Sequence, residues 1–179
     1  MKKMIILDRD GVINEDSDNY IKTPEEWIPI PGSIEAIARL KKAGYLVTIA
    51  TNQSGIARGF YSEQTLQQMH DKLAKLLAEF DVSIDGIFHC PHVPDDACKC
   101  RKPKPGMLLD IARQFEIKLS QTPFVGDTIT DIRTARAVNA QAILVLTGKG
   151  SKTHQLGREI TGVPVFKNLA EYVNQLLQE

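Results

Sequence analysis

Short apolar runs rich in β-branched residues alternate with amphipathic helical stretches along almost the whole chain, and the runs stop at polar residues or glycine. That alternation constrains the fold more than any other feature, because strands separated by helical crossovers pair in parallel. Met4 to Leu7 reads as a first strand, Tyr45 to Ala50 as a second, Ile84 to His89 as a third, Thr122 to Val125 as a fourth and Ala142 to Leu146 as a fifth. Pro31-Gly32-Ser33 offers a turn and a Ser33 N-cap for a helix with Ile34, Ile37, Ala38 and Leu40 on one face, stopped at Gly44. Ser62 caps a longer helix, whose Leu66, Met69, Leu73, Leu76 and Phe80 recur at helical spacing and form a core stripe. Further helices are predicted near Met107 to Phe115, around Ile132, Ala135 and Val138, and from Asn168 to Leu177. Only residues 148–164 look loosely organised. The expectation is an α/β, Rossmann-like three-layer sandwich with a mostly parallel central sheet, one domain over residues 1–179.

Lysine plus arginine equal aspartate plus glutamate at 22 each, so the basic excess of a nucleic-acid or anionic-membrane binder is missing. An anionic ligand has to be met locally, by a few placed cations. The N-terminal run Met1-Lys2-Lys3-Met4-Ile5-Ile6-Leu7 has the charge of a signal peptide, but its apolar part ends at Asp8, short of the roughly 7–15 residues of a signal core. It reads as strand, and a cytoplasmic location is expected. Cys90, Cys98 and Cys100 crowd into eleven residues, an odd number that makes a poor disulfide framework and points to metal.

In doubly wound α/β sheets, ligands bind outside the carboxyl ends of the strands. Four polar clusters follow the predicted strands: Asp8 and Asp10, then Thr51-Asn52-Gln53-Ser54, then Arg101-Lys102, then Gly126-Asp127 with Asp131. One rim would hold all four. Asp8, Asp10 and Asp127 supply hard oxygen ligands suited to Mg²⁺. Thr51, the amides that follow it and Lys102 supply donors that can hold a phosphoryl group while charge moves across it. Read alone, Asp8 and Asp10 are equally a solvated turn, and Lys102 a surface lysine.

Together these residues resemble the haloacid dehalogenase superfamily of phosphatases: Asp8-Arg9-Asp10-Gly11 looks like its first motif, Thr51 its second, Lys102 its third and Gly126-Asp127-Thr128-Ile129-Thr130-Asp131 its fourth. The resemblance covers roughly residues 4–147. It implies that Asp8 attacks phosphorus to form an aspartyl-phosphate, and that Asp10 protonates the leaving oxygen and then activates water. It also implies that Thr51 and Lys102 hold the phosphoryl group. Mg²⁺ would be held by Asp8, Asp127 and the Asp10 carbonyl, with the Asp10 side chain assisting, and Asp131 would stand behind them. The intervals between motifs leave no room for a large cap domain. Asn14, the 52–59 segment, Cys90-Pro91-His92 and the 98–107 segment narrow the resemblance to the branch that removes the C7 phosphate of a heptose 1,7-bisphosphate, whose near cousins take histidinol phosphate. By that likeness Arg101 meets the second phosphate, and Asp16, Ser17, Asp18, Asn19, Tyr20, Asn52, Gln53 and Ser54 meet the sugar.

Cys90-x-His92-x5-Cys98-x-Cys100 offers three thiolates and an imidazole, a complete tetrahedral set for a structural Zn²⁺ with no position left for water. The bland alternative is three reduced thiols in a loop. Zinc there would position Arg101 and Lys102, which follow the last ligand. His70 is read as lying on the polar side of its helix, His89 as pointing away from the rim and His154 as sitting in a soft segment. A different class of function, a phospho-receiver or zinc-loop interaction module, is disfavoured by Asp10, a carboxylate placed to hydrolyse the acyl phosphate that a receiver must keep. A small-molecule sugar phosphate is the expected partner, with no nucleic acid or membrane, and a monomer is the default.

Overall fold

The computed structural model describes residues 2–178. β1 (Met4–Leu7), β2 (Leu46–Asn52), β3 (Gly86–Cys90), β4 (Pro123–Gly126), β5 (Gln141–Val145) and β6 (Val165–Phe166) form one sheet in the order β3-β2-β1-β4-β5-β6, every pair parallel. Among the described residues six α-helices accompany it: α1 (Ser33–Lys42), α2 (Glu63–Ala78), α3 (Gly106–Phe115), α4 (Ile129–Ala137), α5 (Gly150–His154) and α6 (Leu169–Leu176).

The two faces of β1 show why the sheet is covered on both sides. Ile5 and Leu7 pack with Ile37 and Leu40 of α1, Met69 and Leu73 of α2 and Tyr172 and Val173 of α6, whereas Met4 and Ile6 pack with Met107, Leu108 and Ile111 of α3 and Ala135 of α4. Successive side chains alternate across a strand, so a strand buried on both faces is apolar throughout, as Met-Ile-Ile-Leu is. Burying Ile5, Ile6 and Leu7 completely contributes roughly 1.5–3 kcal/mol for each side chain.

Several expectations need correcting. Ser33 is the first helical residue, not the cap: Gly32 occupies that position at φ 82°, and the Ser33 hydroxyl donates to the Ile13 carbonyl at 2.6 Å. In α2 the stripe runs through Leu66, Met69, Leu73 and Leu77, with Leu76 only half-buried and Phe80 beyond the helix end. Residues 148–164 are not loose. They carry α5 and a short 3-10 turn at Gly157–Ile160, and they lead into β6, a sixth strand too short to show periodicity. Ser62 does cap α2, accepting from the Thr65 amide at 3.1 Å. Among the described residues no helix is long and apolar enough to cross a membrane.

Between β1 and α1 the chain folds back on itself. Ile30 N donates to Ile13 O at 2.9 Å and Glu15 N to Ile28 O at 2.9 Å, while Trp27 is wholly buried in the core. This closes residues 15–28 into a flap whose start lies beside the carboxyl end of β1. Since β2 and β4 flank β1 on opposite sides, the crevice at that strand end is the switch point where α/β sheets bind ligands.

Candidate active site

A cavity of about 310 Å³ opens at this switch point. Among its lining are Asp8, Asp10, Thr51, Arg101, Lys102 and Asp127, contributed by the ends of β1, β2 and β4 and by the loop after β3. The four polar clusters read from the sequence therefore meet at one place.

Lys102 organises the centre. The residue is only 3% exposed, and its ammonium lies 2.9 Å from Asp8 Oδ2 and 2.7 Å from Asp131 Oδ1. Burial opposes its charge, but the two carboxylates outweigh burial and hold its proton more tightly than in an ordinary lysine. The Asn52 side chain fixes the backbone of Lys102 from both sides, donating to its carbonyl at 3.1 Å and accepting from its amide at 3.0 Å. Asn52 thus lines the cavity while acting on the lysine. Asp131 also receives the Thr128 amide at 3.0 Å and hydroxyl at 2.5 Å, which closes the N-terminal box of α4.

Crowded carboxyls resist ionisation here. Burial, partly opposed by Lys102 and reinforced by Asp131, pushes Asp8 up to about 7. Burial and the charges of Asp131 and Asp8 push Asp127 up to about 8. Asp8, Asp127 and Asp131 each present an oxygen within 4.8 Å of the others, and Asp127 Oδ1 is buried without a hydrogen-bond partner. Asp131 is taken by Lys102, which leaves Asp8 and Asp127 as hard oxygen donors suited to a small divalent cation. The backbone closes on Asp127 from two sides, since a Cβ at Gly11 (φ +84°) would stand 2.2 Å from its Oδ2 and one at Gly148 (φ +56°) 2.3 Å.

Asp10 is treated differently. Burial alone would raise it, but Arg9 together with Asn14 and Gln53 holds its carboxyl below the usual range. Arg9 Nη2 donates to Oδ1 at 2.9 Å, Asn14 Nδ2 to Oδ1 at 2.8 Å and Gln53 Nε2 to Oδ2 at 2.8 Å. The Asp10 carboxylate stands outside the three-carboxylate cluster, turned toward Arg9. Gln53 is oriented by the Tyr61 hydroxyl, which donates to its Oε1 at 2.6 Å, and also donates to Thr51 Oγ1 at 2.9 Å. Asp16, Ser17, Asp18, Tyr20 and Ser54 line the cavity too, while Asn19 lines a neighbouring hollow with Lys22 and Phe60. Arg101 lines it and donates to the His92 carbonyl at 3.1 Å.

Cys90, His92, Cys98 and Cys100 converge so that one donor atom from each lies within 4.8 Å of the rest, and none is in a disulfide. Burial pushes the Cys90 thiol up to about 12. At Cys98 burial is outweighed by the Arg101 amide and the neighbouring sulfurs, which draw the thiol down to about 7.

Sequence reasoning missed Arg9, His70 and Lys149. Arg9 is wholly buried, and its Nη1 faces His70 Nε2 at 3.4 Å. An arginine only donates, so Nε2 must accept and His70 is a buried neutral imidazole, not a residue on a polar helix face. His89 does point elsewhere, meeting Glu63 at 3.0 Å, and His154 is exposed at the end of α5. A charged residue between two aspartates, and a histidine one step off an apolar stripe, carry no signal of burial.

A family model described as HAD-hydrolase-like matches residues 99–172. The D-glycero-beta-D-manno-heptose-1,7-bisphosphate 7-phosphatases of Pseudomonas aeruginosa and Bordetella bronchiseptica are 55% and 50% identical to this chain, each covering 99% of both sequences. The crystal structure of the D,D-heptose 1,7-bisphosphate phosphatase of B. bronchiseptica, complexed with magnesium and phosphate, matches with a TM-score of 0.96 over 98% of each chain. That of the Burkholderia thailandensis enzyme matches with a TM-score of 0.79 at 40% identity, over 99% of this chain and 100% of the other.

Burial and Arg9 lower His70 to about 4 from its ordinary 6.5. The unfolded chain takes up this proton near 6.5 and the folded one near 4, so stability that is full above about pH 6.5 is lost as pH falls toward 4. Urea unfolding at about pH 7.5 and about pH 5 is expected to show wild type losing roughly 2 kcal/mol more than His70→Gln. Equal losses would contradict the buried neutral imidazole.

Proposed function

Since this chain belongs to the D-glycero-beta-D-manno-heptose-1,7-bisphosphate 7-phosphatase family of haloacid dehalogenase-like hydrolases, we propose that it hydrolyses the C7 phosphate of that bisphosphate, in the cytoplasm, through an aspartyl-phosphate on Asp8. The observation that carries this reading is the Asp8–Lys102–Asp131 cluster at the switch point, with Thr51 and Asp127 facing the same cavity.

Asp8 Oδ attacks phosphorus, a new P–O bond forms, and the bond to the C7 oxygen breaks. Lys102 and Thr51 hold the phosphoryl oxygens through this displacement. Asp10 gives its proton to the departing oxygen and, ionised again, takes one from the water that hydrolyses the acyl phosphate. The resting network around Asp10 suits the second role. For the first, the negative charge of the arriving phosphate raises the proton affinity of Asp10. Asp8 and Asp127, with the Asp10 carbonyl, would hold Mg²⁺, which would supply neutralisation of the phosphoryl charge. Asp131, engaged by Lys102 and Thr128, serves to place the lysine.

Zn²⁺ suits the set formed by Cys90, His92, Cys98 and Cys100, which is closed and thiolate-rich and so structural in character. Arg101, Asp16, Ser17, Asp18, Tyr20, Asn52, Gln53 and Ser54 border the space left for the rest of the substrate, with Asn19 further out. Every group given a role comes from a single chain, so a monomer suffices.

Purified protein with Mg²⁺ is expected to release phosphate from the heptose bisphosphate, and Asp8→Asn to lower kcat by at least about 10³-fold. A panel of sugar phosphates from which no phosphate is released, or an Asp8→Asn enzyme with wild-type rates, defeats the reading. Removing zinc by chelation is expected to lower both the melting temperature and activity; unchanged melting and kinetics in demonstrably zinc-free protein would remove zinc from the account.

A further inference from the structure

Five aspartates line the active-site cavity against three cations, Arg101, Lys102 and Lys149. Lys102 pairs with Asp8 and Asp131 and serves the reacting phosphoryl group. Lys149 has so far been given no task, yet its backbone is among the most tightly held around the site. Its amide donates to Asp127 Oδ2 at 2.7 Å, and Thr147 Oγ1, two residues earlier, donates to the Gly11 carbonyl at 2.7 Å. Gly148 passes so close that a Cβ there would meet the Gly11 Cα at 2.5 Å. The loop after β5 is thereby clamped onto the turn that carries Asp8 and Asp10.

From this anchored backbone the Lys149 side chain reaches the flap after β1, with its ammonium 3.2 Å from Asp16 and 3.4 Å from Asp18. The Lys149 side chain is 44% exposed and that of Asp18 79%. The Asp16 side chain is 18% exposed, so its pair with Lys149 is the firmer one, while the pair with Asp18 is open to water, weak and easily exchanged. A phosphate dianion, with more charge and three acceptor oxygens, is a stronger partner for the same ammonium. Until an anion arrives, Asp16 and Asp18 keep the ammonium extended along the cavity wall.

We propose that Lys149 is a specificity-determining residue that recognises the second phosphate of the bisphosphate, leaving Asp16 and Asp18 for it, in the cavity that Arg101 also lines. The proposal rests on the reading under Proposed function. A heptose 7-phosphate lacks the C1 phosphate and gives Lys149 nothing to bind.

The test compares kcat/KM for heptose 1,7-bisphosphate and heptose 7-phosphate in wild type, Lys149→Met and Lys149→Arg, with competitive inhibition by heptose 1-phosphate as a second measurement that needs no turnover of the inhibitor. Lys149→Met is expected to reduce the bisphosphate-over-monophosphate preference by roughly tenfold, mostly through KM, and to weaken inhibition similarly, while Lys149→Arg retains most of both. Equal losses on the two esters, or unchanged preference and inhibition, overturn the proposal. A wild-type enzyme that hydrolyses neither ester defeats the proposed function instead, so the two failures are distinguishable.

Discussion

A lysine ammonium buried between two carboxylates is the constraint around which the site is arranged. Taking Lys102, Asp8 and Asp131 out of water costs several kcal/mol for each charge, and only close mutual pairing offsets that cost. The distances of 2.9 and 2.7 Å supply the pairing. The requirement then spreads outward. Lys102 must be held from behind, which Asn52 does through two bonds to its backbone; Asp131 must be aimed, which Thr128 at the start of α4 does; and the Asp8 amide is tied to β4 through Val125. Strand order, helix cap and catalytic geometry are therefore one problem, because β1 can meet both β2 and β4 only at the centre of a sheet ordered in this way.

The neighbouring carboxyls are kept distinct by what surrounds them. Asp8 is pushed upward by burial and Asp131, and Asp127 by burial, Asp131 and Asp8, while Asp10, two residues from Asp8, is held down by Arg9, Asn14 and Gln53 despite its burial. The first step needs Asp8 ionised and Asp10 protonated, so a cation beside Asp8 has to lower it and the substrate's phosphate has to raise Asp10. Arg9 can remain inside the protein because it is saturated, by Asp10 and Gln53 on one side and by the neutral His70 on the other.

Much of this is legible in the amino-acid sequence. The apolar content of Met4–Leu7 and Leu46–Ala50 announced buried parallel strands, and their abrupt polar endings announced a rim. Asp8, Thr51, Lys102 and Asp127 could be gathered because each follows a strand end or the loop beyond one. Arg9, His70 and Lys149 could not, since their burial or reach depends on which helix or loop packs against them. Gln53 and Asn52 were placed on the rim, although their side chains bond to Asp10, Thr51 and the Lys102 backbone as well as border the cavity. Ser33 carried the chemistry of a cap, but the Ile13 carbonyl lay within reach of its hydroxyl and claimed it.

The central claim is that the phosphoryl group passes through Asp8. The most direct measurement is to quench the protein during turnover with borohydride, which reduces an aspartyl-phosphate to homoserine, and to locate the product by peptide mass spectrometry. The account predicts homoserine at position 8. An intact aspartate at position 8 in protein that is releasing phosphate, or homoserine at another position, would contradict it.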